Sequence, residues 1–216
     1  LYGSDGLAGM VAMTTTMPKD LLRADQNLGG RVALHTDSED RSKSAGLTLA
    51  GAPSETLQWL GSVQVGRSHA LDNQGENTAL DSTRTTPNPQ SDQQASVLGK
   101  LVITPNAGAR HVLAFEHVEK KGKVEGYSGR STSTGVLDLD GTHNMQRTRL
   151  SWDGRIKTDA PWASDVRALL AYQAGDAREV ATEKRIALPS LRERNVRYQE
   201  KLWQGVLQAE ATQALG

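Results

Sequence analysis

Five histidines, His35, His69, His111, His117 and His143, are the side chains best suited to hold a metal ion, since a neutral imidazole ligates through one nitrogen while the other orients it. Their spacing assembles no chelate. His111 and His117 stand six residues apart, where alternate strand residues or successive helical turns would be needed. The chain has no cysteine, which removes disulfides, thiolate zinc sites and cysteine nucleophiles. A second grouping is cationic: Arg192, Arg194 and Arg197, followed by Lys201, carry guanidinium groups that pair bidentately with carboxylates or phosphates. Glu193 and Glu200 are interleaved and can balance them in a solvated loop. The opening Gly3-Ser4-Asp5-Gly6 is rich in glycine, but no Lys-Ser/Thr follows it and no helical pattern is there to cap an anion, so it does not read as a phosphate cradle.

The elements that must position these residues are β-strands. Apolar residues at helical intervals find little support before the last thirty residues. Period two recurs instead. Trp59, Gly61, Val63 and Val65 alternate with Gln58, Ser62 and Gln64. Val97, Gly99, Leu101 and Ile103 alternate with Ser96, Leu98, Lys100 and Val102. Thr148, Leu150 and Trp152 face away from Arg147, Arg149, Ser151 and Asp153. The same holds for Val166 to Gln173 and for Trp203 to Glu210, with shorter versions at Val32 to His35, Ala45 to Gly51 and around Leu113 and Phe115. The reading is about eight strands after residue 28, each with one apolar and one wet face.

Composition fits such strands and excludes other classes. There are 25 basic and 25 acidic residues, so no net field draws the chain to nucleic acid. Leu, Ile, Val and Phe make up about a fifth of the chain and mean hydropathy is -0.53, little for an ordinary two-sided core. The longest apolar run, Leu7 to Met13, is far short of the roughly 20 residues of a membrane helix. The start at Leu1 and the close at Ala214-Leu215-Gly216 are expected of a section of a longer protein.

Connections alternate in length. Ala52-Pro53-Ser54-Glu55, Asn106-Ala107-Gly108-Ala109 and Asp159-Ala160-Pro161-Trp162 read as tight turns. Leu71 to Asp92, Lys120 to Gly135 and Ala177 to Tyr198 read as long polar loops. In an antiparallel sheet all tight turns then fall at one end, the habit of outer-membrane barrels, and Trp59, Trp152 and Trp162 near those turns suit a membrane interface. A soluble sandwich shares the alternation of faces and is the competing architecture.

The first residues add a resemblance. Leu1, Tyr2, Gly3, Ser4, Gly9 and Val11 match the run that closes the plug domain of TonB-dependent outer-membrane receptors, with Ala8 standing where that family usually has the first of two glycines. Asp5, with Met17-Pro18-Lys19-Asp20-Leu21-Leu22, resembles the haem and haemoglobin receptor branch, as do Gly99-Lys100-Leu101-Val102 with Pro105 and Arg147-Thr148-Arg149-Leu150-Ser151. The resemblance implies an all-β protein: residues 1–27 as the end of the plug and its linker, and 28–216 as the first eight or so strands of an antiparallel transmembrane β-barrel of about 22.

Such receptors bind an iron source at the cell surface and move it across the bacterial outer membrane, driven by TonB and its inner-membrane complex through a box upstream of the plug. The implied partners are TonB, haem or a haemoprotein, and outer-membrane lipid. Haem is cargo, with no cofactor resident in this section and no bond made or broken, hence no enzyme. The family's haem-ligating loop motif is absent, so the five histidines inherit no ligand role. By strand position, His69 and His143, with Arg192, Arg194 and Arg197, are expected toward the long-loop end as cargo contacts. A ferric siderophore or cobalamin is the alternative cargo, and a small non-transporting barrel or adhesin the alternative class.

Overall fold

The structure is a computed structural model that describes residues 15–160 and 162–211. The chain forms one sheet of eight antiparallel strands in sequence order: β1 (Leu28–Thr36), β2 (Lys43–Ser54), β3 (Leu57–His69), β4 (Gln90–Asn106), β5 (Ala109–Glu125), β6 (Val136–Ala160), β7 (Ala163–Arg185) and β8 (Leu191–Glu210). Among the described residues β1 and β8 do not pair with each other, so the sheet is open and has two free edges. The plug motif, Leu1 to Val11, lies outside the described residues.

Two-residue hairpins join β2 to β3, β4 to β5 and β6 to β7, at Ser54↔Leu57, Asn106↔Ala109 and Ala160↔Ala163. Each is preceded by a shift of register, and Pro53 and Pro105 stand in two of these shifts, where a ladder donor can be spared. All other connections are at the opposite end. Two of the expected loops are shorter than the sequence suggests. β5 continues to Glu125, and β7 and β8 extend until only residues 186–190 separate them, so most of Ala177 to Tyr198 is strand. These stretches carry polar residues on both faces, so the ladder continues after the alternation that reveals a strand has vanished.

The registers give every strand residue a face. One row across the sheet runs Leu28, Gly51, Trp59, Leu101, Leu113, Trp152, Leu170 and Gly205. The next runs Gly30, Leu49, Gly61, Gly99, Phe115, Leu150, Tyr172 and Trp203. These rows belong to an apolar band about nine residues deep on β3 and β4, from Leu57 to Val65 and from Ala95 to Ile103, and shallower on β5, where His111 and His117 flank Leu113 and Phe115 on the same face. The other face is polar at the same height: Gln58, Ser62, Lys100, Glu116, Arg149, Asp153, Arg167 and Gln173.

Burial is inverted relative to a water-soluble sheet. The apolar face is open, with Leu34 80%, Val32 70%, Leu150 53% and Leu170 53% exposed. Glycines apart, the buried strand residues Thr48, Ala50, Leu60, Lys100, Val102 and Ala171 lie on the polar face. The chain's own N-terminal segment covers part of that face. Lys100 donates from Nζ to the Thr15 carbonyl at 2.9 Å and reaches Met17 Sδ at 3.3 Å, which satisfies an ammonium that would otherwise be stranded. Pro18, in a single 3-10 turn over Pro18–Asp20, is fully buried, and Gly29 has no Cβ because the Leu21 carbonyl occupies that place.

Candidate functional site

On the polar face, toward the long-loop end, one ladder row places Asp92 of β4, Gly122 of β5, His143 of β6 and Glu179 of β7 side by side. Side chains two strands apart do not ordinarily meet. Here they do, because Gly122 leaves its space empty: His143 Nε2 sits 3.3 Å from Asp92 Oδ1 directly over the glycine, and a Cβ there would run into both groups. Arg194 of β8 closes the other side. His143, Glu179 and Arg194 line a cavity of about 220 Å³, and His143 with Asp92, His35 and Lys120 lines a wider one of about 420 Å³. An imidazole between two carboxylates and beside a guanidinium can donate, accept or meet an anionic edge.

The other expected contacts separate. Arg192 is on the same face but pairs with Glu183 at 3.6 Å. Arg197 is on the apolar band's face, paired with Asp176 at 2.7 Å, so the arginine grouping is divided between the two sides of β8 rather than gathered in a loop. His69 also lies on the band's side, with Nδ1 buried and unpartnered among the described residues. His111 stacks on Trp152 with ring centroids 6.0 Å apart, and His117 is 2.9 Å from Thr148 Oγ1, so both belong to the packing of the apolar band's face. Among the described residues no group of histidine and acidic side chains is arranged to hold a metal ion.

A second grouping, between the loops 70–89 and 126–135, has no signature in the sequence. The Arg84 and Arg130 guanidinium groups lie 5.3 and 4.3 Å from the Tyr127 ring centroid. The Tyr127 hydroxyl donates to Glu125, which holds the Glu125 carboxyl low and pushes the phenol up. Arg130 donates from Nη2 to Asp138 Oδ1 at 2.6 Å, and Lys184 Nζ is 3.5 Å from the other oxygen. Burial pushes the Asp138 carboxyl up, but these two cations outweigh it and hold the group below its ordinary value. Asn88 ties the loops together, accepting from the Ser128 N–H at 3.0 Å and donating to its hydroxyl at 2.8 Å.

The geometry therefore offers a binding surface on the polar face with a fixed loop platform above it. No protein-family model matches the chain, and no curated protein matches it.

Proposed function

We propose that this chain is a section of the wall of a TonB-dependent outer-membrane receptor, with its apolar face against lipid and its polar face lining a lumen filled by a plug, and that the intact receptor takes up haem. The observation that carries the reading is the inverted sheet. A soluble sheet of this size would leave more than a dozen large apolar side chains in water, while its charged face received the chain's own covering segment. In a bilayer the arrangement is the stable one, because lipid accepts the apolar band and a wet lumen accepts the charges.

Further features support it. The apolar depth of about nine residues on β3 and β4 suits a tilted strand crossing the hydrocarbon layer. Trp59 and Trp152 lie in one row near the hairpin end, as an interfacial girdle requires. Short hairpins at one end and longer connections at the other fit periplasmic turns and external loops. Two free edges suit eight neighbouring strands of a wider barrel of about 22. The resemblance of Leu1 to Val11 and of Met17 to Leu22 supplies the receptor family and the haem branch. Residues 1–27 are then the plug's end and linker, and the segment over Lys100 is that linker entering the lumen. His143 and Arg194, on the lumenal side near the external loops, are the cargo contacts.

The test is growth. Iron-starved cells expressing the full-length gene as their only candidate receptor grow on haemin, and deletion of TonB abolishes that growth. Growth on a ferric siderophore and not on haemin would replace the cargo, and growth indifferent to TonB would remove the transporter class. Position is tested separately. The absence of cysteine makes single substitutions clean reporters: Val63→Cys is shielded from a water-soluble maleimide in intact cells, whereas Lys121→Cys reacts. Equal reaction at both would overturn the membrane reading.

A further inference from the structure

At the border of the apolar band, away from the hairpins, one ladder row reads Thr36, Lys43, Arg67, Gln93 and Lys121 across β1 to β5. All five side chains are exposed and lie on the same face as the band. The row beside it, one step toward the hairpins, is Leu34, Ala45, Val65 and Ala95 across β1 to β4. The two rows together line a groove of about 860 Å³, apolar on one side and cationic on the other.

The cations are arranged against their own electrostatics. Lys43 and Arg67 stand directly opposite each other on β2 and β3, a pairing of like charges that weakens a sheet unless an anion bridges it. Among the described residues neither has an ion pair or a side-chain hydrogen bond. Lys121 is partnered by Glu119 at 2.6 Å, leaving Lys43 and Arg67 as the uncompensated charges of the groove. Thr36 and Gln93 flank them with neutral hydrogen-bonding groups, and the acyl-compatible surface continues below into Val32, Leu47, Val63 and Val97.

We propose that this groove binds a phosphorylated, acylated sugar lipid of the surrounding leaflet. Lys43 and Arg67 hold a phosphate, Thr36 and Gln93 meet sugar hydroxyls, and the acyl chains lie along the apolar row. Water-soluble phosphates are the wrong occupant, because the cations sit on the margin of a lipid-compatible band and not on the polar face. The inference rests on the membrane reading given above.

The test uses the full-length receptor purified in detergent, with bisphosphorylated lipid A and its dephosphorylated form as probes, and bound lipid read by native mass spectrometry. The bisphosphorylated form binds about tenfold more tightly, and the double substitution Lys43→Gln with Arg67→Gln removes the preference. The exchange Lys43→Arg with Arg67→Lys keeps the charge and retains it, which separates loss of the site from damage to the sheet. Equal binding of the two lipids by the unaltered receptor, or a preference that survives the glutamine pair, overturns the proposal. If Val63→Cys is shielded in cells and the phosphate preference is absent, only this inference falls. If Val63→Cys is labelled as readily as Lys121→Cys, the membrane reading falls and takes the lipid site with it.

Discussion

At the scale of single residues, a missing side chain organises the polar-face site. Gly122 lets His143 and Asp92 meet across an intervening strand, so the grouping depends on a position with no chemistry of its own. Gly122→Val fills the gap and drives the pair apart. If the proposed haem uptake holds, we expect it to reduce haemin-supported growth as much as His143→Ala does, while the level and heat-modifiable mobility of the full-length protein stay unchanged. Full growth with both variants would take His143 off the cargo path. The Asp138 cluster carries a pH dependence whose sign is fixed. Its folded pKa lies below the unfolded value of about 3.9, so the clamp on Arg130 and Lys184 contributes stability above that value and loses it as pH falls through the lower folded value. Protection from hydrogen exchange in residues 126–135, taken relative to the unstructured rate at each pH, should therefore fall as the pH drops below about 4, and Arg130→Gln should lower that protection at neutral pH and weaken the acid step. Acid-insensitive protection in the unaltered protein would show that the clamp does not hold the loop.

At the scale of elements, the strands divide into a part that meets the apolar band and a part that does not. β1 has 9 residues and β6 has 25, and the registers set β1 level with residues 144–152, so β6 runs on as residues 153–160 toward the hairpins and as residues 136–143 at the other end. Substitutions should respect that division. Leu150→Arg, within the band, should cost about 2–4 kcal/mol in refolding into lipid, and Asn144→Arg, on the same face beyond the band, about 0–1 kcal/mol. Equal costs, from urea titrations in vesicles, would show that the band is not in hydrocarbon. The same division governs how much of the fold could be read from sequence. Where a strand separates apolar from wet surroundings, as at Trp59 to Val65 or Thr148 to Asp153, alternation is plain and both strand and face are legible. Where both faces are polar, as from Ala177 to Arg185 and from Leu191 to Tyr198, nothing alternates, and the segment reads as a loop although its ladder is unbroken. That is why Arg192, Arg194 and Arg197 looked like a cluster: in a strand, odd and even neighbours lie on opposite sides. The Arg84, Tyr127 and Arg130 stack was invisible for another reason, since it joins two loops whose contact is set by tertiary geometry and by no local spacing.

At the scale of the whole molecule, the sheet offers water an apolar face and two unpaired edges, β1 and β8. Residues 1–216 alone should therefore precipitate from aqueous buffer after dilution out of urea. In detergent micelles they should regain strand content by circular dichroism without forming a compact, heat-modifiable species, because the sheet keeps two free edges. A stable monomer in detergent-free buffer would contradict the face assignment, and a heat-modifiable band would contradict the open sheet.

The order of the strands has a kinetic consequence. Because every strand pairs only with its predecessor and successor, each hairpin can dock on the one before it without waiting for a distant segment, and no step closes a loop longer than the connection it contains. Assembly can thus advance like a zip from β1 as the chain is delivered, each new strand using the last exposed edge as its template. The edge that is a hazard in the finished sheet is, during assembly, the site of growth.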